Sequence, residues 1–82
     1  MKNKYELTSF ILRSKRRKQI LQCLSQKNMT ASELAQSTGM YKSHIARAIK
    51  ELEKEKLIKC LNPDDRSYRF YRITEKGKNI KL

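Results

Sequence analysis

The sequence predicts a mainly α-helical domain that carries one small β-hairpin, which is an α+β fold. Residues 30–57 contain two helix patterns joined by a short turn. Residues 57–73 contain two short apolar and aromatic runs separated by polar turn residues. The chain of 82 residues shows no linker, repeat or low-complexity segment, so we expect one domain over residues 1–82. A domain of this size buries a small core and has little room for a deep catalytic cleft.

The two helices within residues 30–57 have identifiable boundaries. Thr30 and Glu33 predict a capping box, because a hydroxyl and a carboxylate three residues apart can satisfy each other's free amides. Gly39 can adopt the left-handed conformation that ends a helix without a Cβ penalty. The first helix presents apolar residues on one side, and the second has an apolar stripe at spacings of three and four. These residues are Ala31, Leu34 and Ala35 in the first helix, and Ile45, Ala48, Ile49 and Leu52 in the second.

The N-terminal part predicts two further helices. Residues 1–4 are polar and are expected to be frayed, whereas residues 5–12 suit a short helix that leans on the core. Ser14 is a candidate N-cap for the next helix. That helix would bury Ile20, Leu21 and Leu24, with Cys23 as a further candidate, and Met29 would extend the chain before the capped helix.

The first turn of the Ser14-capped helix is strongly basic. Residues 13–18 contain five cations, which oppose a helix dipole that favours anions at this end. A nearby phosphate would relieve the conflict. A solvated basic turn without any contact explains the same charges equally well.

The C-terminal part predicts the hairpin and a last short helix. Residues 57–61 and 68–73 have the composition of strands, and residues 62–67 are turn-forming throughout. Period two places Tyr71 and Ile73 on the buried side, with Tyr68 and Phe70 partly exposed. Thr74 would cap a helix from Glu75 to about Lys81, with Ile80 and Leu82 as its apolar residues.

The charge of the chain points to a polyanionic partner. Lys and Arg number 20 against 8 Asp and Glu, a formal net charge of +12. Nucleic acid is the leading interpretation, while a membrane surface or an acidic protein are alternatives that charge alone does not separate. No apolar run is long enough to cross a bilayer, and no signal peptide is evident, so we expect a cytoplasmic protein without membrane insertion.

The sequence shows no constellation for catalysis, metal binding or cofactor binding. Cys23 and Cys60 lack metal-ligand spacing and are expected to be reduced, small apolar side chains. His44 is the single histidine and has no ligand partner at helical spacing. No nucleophile–base pair or phosphate-binding glycine loop is present. We therefore expect no enzyme, no metal, no cofactor and no small-molecule ligand.

The order of these elements resembles a winged helix-turn-helix, with a three-helix core, a two-stranded wing and short terminal helices. Ala35, Gly39 and the apolar positions around them match the helix-turn-helix pattern. The segment from Tyr71 to Gly77 is similar to the aromatic, variable, aliphatic, Thr-Glu-Lys-Gly ending of MarR- and ArsR-type regulators, especially small archaeal winged-helix regulators. Residues 14–24 also resemble the first core helix of this group. The resemblance covers residues 14–78.

The resemblance departs from the family pattern at one position. Such proteins usually place Gly between the second helix of the motif and the first wing strand, and this chain has Lys56 there. A non-Gly residue in a left-handed position costs on the order of 1 kcal/mol. We therefore expect this helix to end differently, which leaves the exact wing angle open and the fold unchanged.

The resemblance implies sequence-specific binding to double-stranded DNA and transcriptional regulation. A recognition helix over residues 41–55 would enter the major groove, and a wing over residues 62–67 would meet the backbone or minor groove. The implied DNA-binding residues are Tyr41, Lys42, Ser43, His44, Arg47, Lys50, Arg66 and Arg69.

Arg47 is the best candidate for a bidentate guanine contact, because its planar fork matches O6 and N7. Ser43 would contact a base or a phosphate, and Lys42 would neutralise a phosphate. Lys50 either does the same or belongs to a solvated face beside Glu53 and Lys54. Asp64 and Asp65 either pair with Arg66 or limit how closely the tip approaches a phosphate.

Two alternatives stay open. The domain could instead bind RNA or a protein partner, and arginines alternating with aromatic residues in the wing could stack single-stranded bases. Such regulators often dimerise through terminal helices, and the sequence is compatible with either a monomer or a homodimer.

Overall fold

A computed structural model describes residues 2–80 of the chain. The elements are α1 (Lys4–Leu12), α2 (Lys15–Gln26), β1 (Met29–Thr30), α3 (Ala31–Thr38), α4 (Lys42–Lys54), β2 (Ile58–Cys60), β3 (Phe70–Ile73) and α5 (Glu75–Lys78). The predicted mainly helical α+β class is confirmed. The last helix is shorter than predicted, and Lys81 and Leu82 lie outside the described residues. Within residues 2–80, no helix is both long and apolar enough to cross a membrane.

The sheet has one strand more than the predicted hairpin. Its antiparallel order is β1-β3-β2, so β3 lies in the middle. Met29 pairs with Tyr71 on one side of β3, while Ile58 pairs with Ile73 on the other. The two extended residues before α3 therefore form an edge strand. The sequence indicated extended chain at Met29 and gave no sign of its distant partner.

The core lies between the helices and the inner face of the sheet. The predicted alternation is confirmed, since Tyr71 and Ile73 of β3 are 7% and 6% exposed while Phe70 is 38% exposed. Tyr68, two residues before β3, is 66% exposed. The helical core residues are buried as predicted, and Cys23 packs partly against them. The buried helical residues are Leu7 and Ile11 in α1, Ile20, Leu21 and Leu24 in α2, Leu34 in α3, and Ile45, Ala48, Ile49 and Leu52 in α4.

The helix starts use the predicted caps. The Ser14 hydroxyl accepts a hydrogen bond from the Arg17 amide at 3.3 Å. Thr30 and Glu33 form the expected capping box, with distances of 3.1 and 2.9 Å, and the backbone hydrogen bond from Thr30 lowers the pKa of Glu33. Gly39 ends α3 at φ 72°, in the left-handed region. Local chemistry thus sets the start of α2 and both ends of α3.

The N-terminal residues are more ordered than predicted. Asn3 caps α1 by accepting a 2.9 Å hydrogen bond from the Glu6 amide. The Lys2 ammonium lies 2.9 Å from the Glu55 carboxylate, and this contact lowers the pKa of Glu55. The expectation of a frayed segment is therefore wrong for residues 2–4, because partners near and far in sequence hold them. Met1 lies outside the described residues.

The end of α4 has the left-handed conformation that the sequence argued against. Lys56 has φ 63°, and the Leu57 amide donates to the Leu52 carbonyl oxygen at 3.1 Å. The Lys56 amide donates to the Glu53 carbonyl oxygen at 2.9 Å. These two bonds form a Schellman ending, which satisfies carbonyl groups that the helix leaves free. The expectation that α4 ends differently is wrong, because the hydrogen bonds offset the strain of a non-glycine residue.

Candidate nucleic-acid interface

Helix α4 presents a polar face to solvent and is held by its apolar face. Ile45, Ala48, Ile49 and Leu52 are each at most 3% exposed, and α4 packs against both α2 and α3. The opposite face exposes four polar side chains that the sequence identified, namely Lys42, Ser43, Arg47 and Lys50. The helix spans Lys42–Lys54, so the predicted limits of 41–55 coincide with its two capping residues. Its polar face is therefore both rigid and accessible.

Two predicted residues lie together at the start of α4. Tyr41 is 77% exposed and occupies the N-cap position without making a side-chain cap hydrogen bond. Its ring contacts the half-buried His44 ring edge-on, with centroids 5.8 Å apart. Among residues 2–80, no cluster of three or more His, Cys, Asp or Glu side chains is arranged to hold a metal ion. The chemistry available here is aromatic contact and hydrogen bonding.

The basic first turn of α2 lies next to α4. One of its cations is bound within the protein, and two others are exposed. Arg17 is bound within the protein: Nε and Nη2 donate to the two Glu51 carboxylate oxygens at 3.2 and 3.1 Å. Its Nη1 donates to the Phe10 carbonyl oxygen at 2.8 Å, and its guanidinium lies 3.9 Å from the Phe10 ring centre. Lys15 and Arg16, in contrast, are exposed.

One shallow depression joins α2 and α4. Its lining includes Arg16, Arg17, His44, Arg47 and Glu51. The hydrogen bonds from Arg17 lower the pKa of Glu51, and the nearby charge of Arg47 adds to that effect. Glu51 is therefore ionised at neutral pH beside cationic side chains. Sequence reasoning did not identify this arrangement, because Arg17 and Glu51 are 34 positions apart.

The tip of the wing is organised by its own acidic and amide side chains. The Asp65 carboxylate accepts hydrogen bonds from the Ser67 and Tyr68 amides at 2.8 and 2.9 Å, and these bonds lower its pKa. Asn62 spans the hairpin by accepting from the Phe70 amide at 2.8 Å and donating to the Tyr68 carbonyl oxygen at 2.6 Å. Asp65 is thus a structural residue of the turn.

The two predicted wing arginines have different environments. Arg66 is exposed, and its guanidinium forms no ion pair with the described residues, Asp64 and Asp65 included. Arg69 folds back on the tip, where its Nε donates to the Asp65 carbonyl oxygen at 3.0 Å. Both line a depression that also includes Thr30 and Ser32, beside the start of α3. The predicted site residues therefore form two groups, one on α4 and one on the wing.

Residues 5–81 match the family described as the N-terminal domain of the methanogenesis regulatory protein FilR1. The chain belongs to this family. It is also 31% identical over 81 residues to the HTH-type transcriptional regulator TcaR of Staphylococcus aureus, strain Newman. That alignment covers 95% of this chain and 50% of TcaR, so the chain spans about half the length of this curated relative.

The similar solved structures include MarR-family regulators. The adhesin competence repressor AdcR of Streptococcus pyogenes has a TM-score of 0.74 and 26% identity, covering 82% of this chain and 51% of AdcR. A MarR family transcription regulator has a TM-score of 0.71 and 31% identity, and the match covers 82% of this chain and 46% of that regulator's chain. Lactococcus lactis ZitR in complex with DNA has a TM-score of 0.68 and 23% identity, and the match covers 77% of this chain and 44% of the ZitR chain. The predicted MarR-like winged-helix fold is confirmed.

Proposed function

We propose that this chain binds double-stranded DNA sequence-specifically and regulates transcription, with α4 in the major groove. The observation that carries the proposal is the outward face of α4. That face is cationic, exposed and backed by a buried apolar stripe. A rigid helix of this kind can place side chains against base edges without a large cost of ordering. The membership in a regulator family and the fold shared with ZitR, whose structure contains DNA, support the same proposal.

The residues of α4 divide into two proposed roles. Arg47 reads a guanine through O6 and N7, because a guanidinium donates two parallel hydrogen bonds. Lys42 and Lys50 neutralise phosphates, as flexible single charges do. Ser43, Tyr41 and His44, near the start of the helix, contact bases or the adjacent backbone.

The wing has a proposed role in affinity rather than in sequence preference. Arg66, at the exposed tip, contacts a phosphate or enters the minor groove. Arg69 supports the same surface from the base of the tip, where its Nε bond to the Asp65 carbonyl oxygen restrains it. The proposed activity is binding alone, carried by residues 1–82 as one domain.

Selection from a random pool of DNA duplexes tests the proposal. We expect an enriched sequence motif, and tighter binding to that motif than to a scrambled duplex of the same length. Amide chemical shifts of residues 41–50 should move when the selected duplex is added. If only the chain ends shift, or if structured RNA outcompetes duplex DNA in parallel salt titrations, the proposal is wrong. Sedimentation of the complex would reveal whether two copies occupy paired half-sites.

A further inference from the structure

Glu51 lies where it could interfere with Arg47. The two residues are four positions apart on α4, a spacing at which side chains are neighbours on one helix face. Both line the depression between α2 and α4, and the charge of Arg47 is close enough to lower the pKa of Glu51. Nevertheless, within residues 2–80 the Arg47 side chain is exposed and makes no ion pair.

Arg17 already occupies the Glu51 carboxylate. It binds both carboxylate oxygens of Glu51, at 3.2 and 3.1 Å, in the two-point geometry that suits a guanidinium. Its third contact, with the Phe10 carbonyl oxygen, and its stacking on the Phe10 ring anchor it from the other side. The Arg17 side chain is only 18% exposed. The carboxylate is therefore occupied by a residue that is itself fixed.

We propose that Arg17 is a positioning residue that occupies the Glu51 carboxylate and so keeps Arg47 unpaired for a nucleic acid. The inference rests on the proposed function of α4 and adds a residue outside α4 to it. Without Arg17, the Glu51 carboxylate would pair with Arg47 and would add an uncompensated negative charge near the phosphates. A direct phosphate contact is a poorer role for Arg17, because Nε, Nη1 and Nη2 each already donate to an acceptor inside the protein and the side chain is only 18% exposed.

A double-mutant cycle tests the proposal with the intact chain and the selected duplex. Arg17→Met should weaken binding by about three- to tenfold, within the range of coupling between contacting charged residues. Glu51→Gln removes the carboxylate charge that would compete for Arg47, so it should restore most of that loss in the Arg17→Met background. In the unsubstituted background Glu51→Gln should change the affinity much less. If Glu51→Gln changes the affinity by the same factor in the Arg17→Met and the unsubstituted backgrounds, the proposal is wrong.

Arg16→Met is the matched control, because Arg16 is the exposed neighbour of Arg17 on the same turn. Its loss removes one positive charge without releasing Glu51. We expect Arg16→Met to weaken binding. Adding Glu51→Gln to Arg16→Met should change the affinity by the same factor as Glu51→Gln does in the unsubstituted chain. A larger rescue in this control would show a general charge effect and would count against the proposal.

Measurements without DNA separate this inference from the proposed function. Relaxation of the Arg47 Nε–Hε group should show a more restrained side chain in Arg17→Met than in the unsubstituted protein, and Glu51→Gln should reverse the change. If Arg17→Met does not fold, Arg17→Lys replaces it, because lysine keeps the charge and loses the two-point contact. We expect the Arg47 side chain to be more restrained in Arg17→Lys than in the unsubstituted protein. Unchanged Arg47 mobility in a folded Arg17 variant refutes the pairing. Failure of the unsubstituted chain to bind duplex DNA instead refutes the proposed function.

Discussion

The Thr74 hydroxyl donates a 2.7 Å hydrogen bond to the carbonyl oxygen of Lys56, and this contact joins the end of the sheet to the end of α4. The Thr74 amide adds a 3.0 Å bond to the Leu57 carbonyl oxygen, and the same hydroxyl accepts from the Gly77 amide at 3.1 Å. The Lys76 ammonium donates to the Glu55 carbonyl oxygen at 2.9 Å. The Thr-Glu-Lys-Gly segment therefore fixes the wing relative to α4.

Gly77→Ala is expected to destabilise the protein by about 1–3 kcal/mol, because overpacking a filled site forces neighbours to move. A Cβ on Gly77 would collide with the Leu57 carbonyl oxygen and would press on the Ile73 side chain. Alanine has a higher helix propensity than glycine, so a loss of stability would show that the collision outweighs the gain in propensity. Urea unfolding gives the measurement.

Gly39→Ala provides the control for this prediction. A Cβ there meets no atom within 4 Å, but φ is 72°. Its cost should come from conformation alone, on the order of 1 kcal/mol. Equal or higher stability of Gly77→Ala relative to the unsubstituted chain would contradict the predicted collision.

Lys56→Gly is expected to stabilise the protein by up to about 1 kcal/mol, since glycine adopts the left-handed conformation without a Cβ penalty. Lys56 has φ 63° at the end of α4. Lys56→Ala removes the same charge and keeps the strain, so it is the matched variant. Thermal and urea unfolding should rank glycine above alanine. The reverse order would mean that position 56 is not strained.

Arg47→Ala is expected to weaken specific binding by about 1–3 kcal/mol and to relax the preference at one base position. Arg47→Lys keeps the charge but loses the planar fork, so it should preserve non-specific affinity while also relaxing that preference. Fluorescence anisotropy with the selected duplex and its single-base variants gives both quantities. Unchanged site preference in both variants would refute the base-reading role.

Arg66→Ala is expected to lower affinity nearly equally for all duplexes and to reduce the salt slope by about 1, as loss of one phosphate contact does. The guanidinium is free of ion pairs with the described residues, so the variant should leave the fold intact. Salt titrations of specific and scrambled duplexes would measure the slope. A loss confined to the specific duplex would instead indicate base reading by the wing.

Acid is expected to destabilise the fold through its paired carboxylates. Hydrogen bonds from Arg17 and Lys2 lower the pKa values of Glu51 and Glu55 in the folded protein. Their stabilisation is fully present above the unfolded pKa, about 4.3 for Glu. It is lost as the pH falls from about 5 through the folded pKa values. Urea midpoints between pH 7 and 3 should therefore decrease, and less steeply in Glu51→Gln combined with Glu55→Gln. An unchanged slope in this double variant would contradict the prediction.

The sequence predicted the parts of the fold that depend on neighbours within a few positions. The Thr30–Glu33 capping box, the Ser14 cap and the left-handed Gly39 each depend on a residue at most four positions away. The apolar stripe of α4 and the alternation in β3 follow from the periods of 3.6 and 2 residues. Lys42, Ser43, Arg47 and Lys50 lie off the apolar stripe of α4 and are exposed.

The tertiary structure decided the features that join residues far apart in the chain. The pairing of Met29 with Tyr71, the hold of Arg17 on Glu51 and the contact of Lys2 with Glu55 join residues that no local pattern connects. The left-handed Lys56 contradicted its intrinsic preference, because Thr74 and Leu57 complete a hydrogen-bonded ending around it. Local propensities amount to about 1 kcal/mol or less per residue. A distant backbone or charged partner can outweigh them, and only packing determines which partner that is.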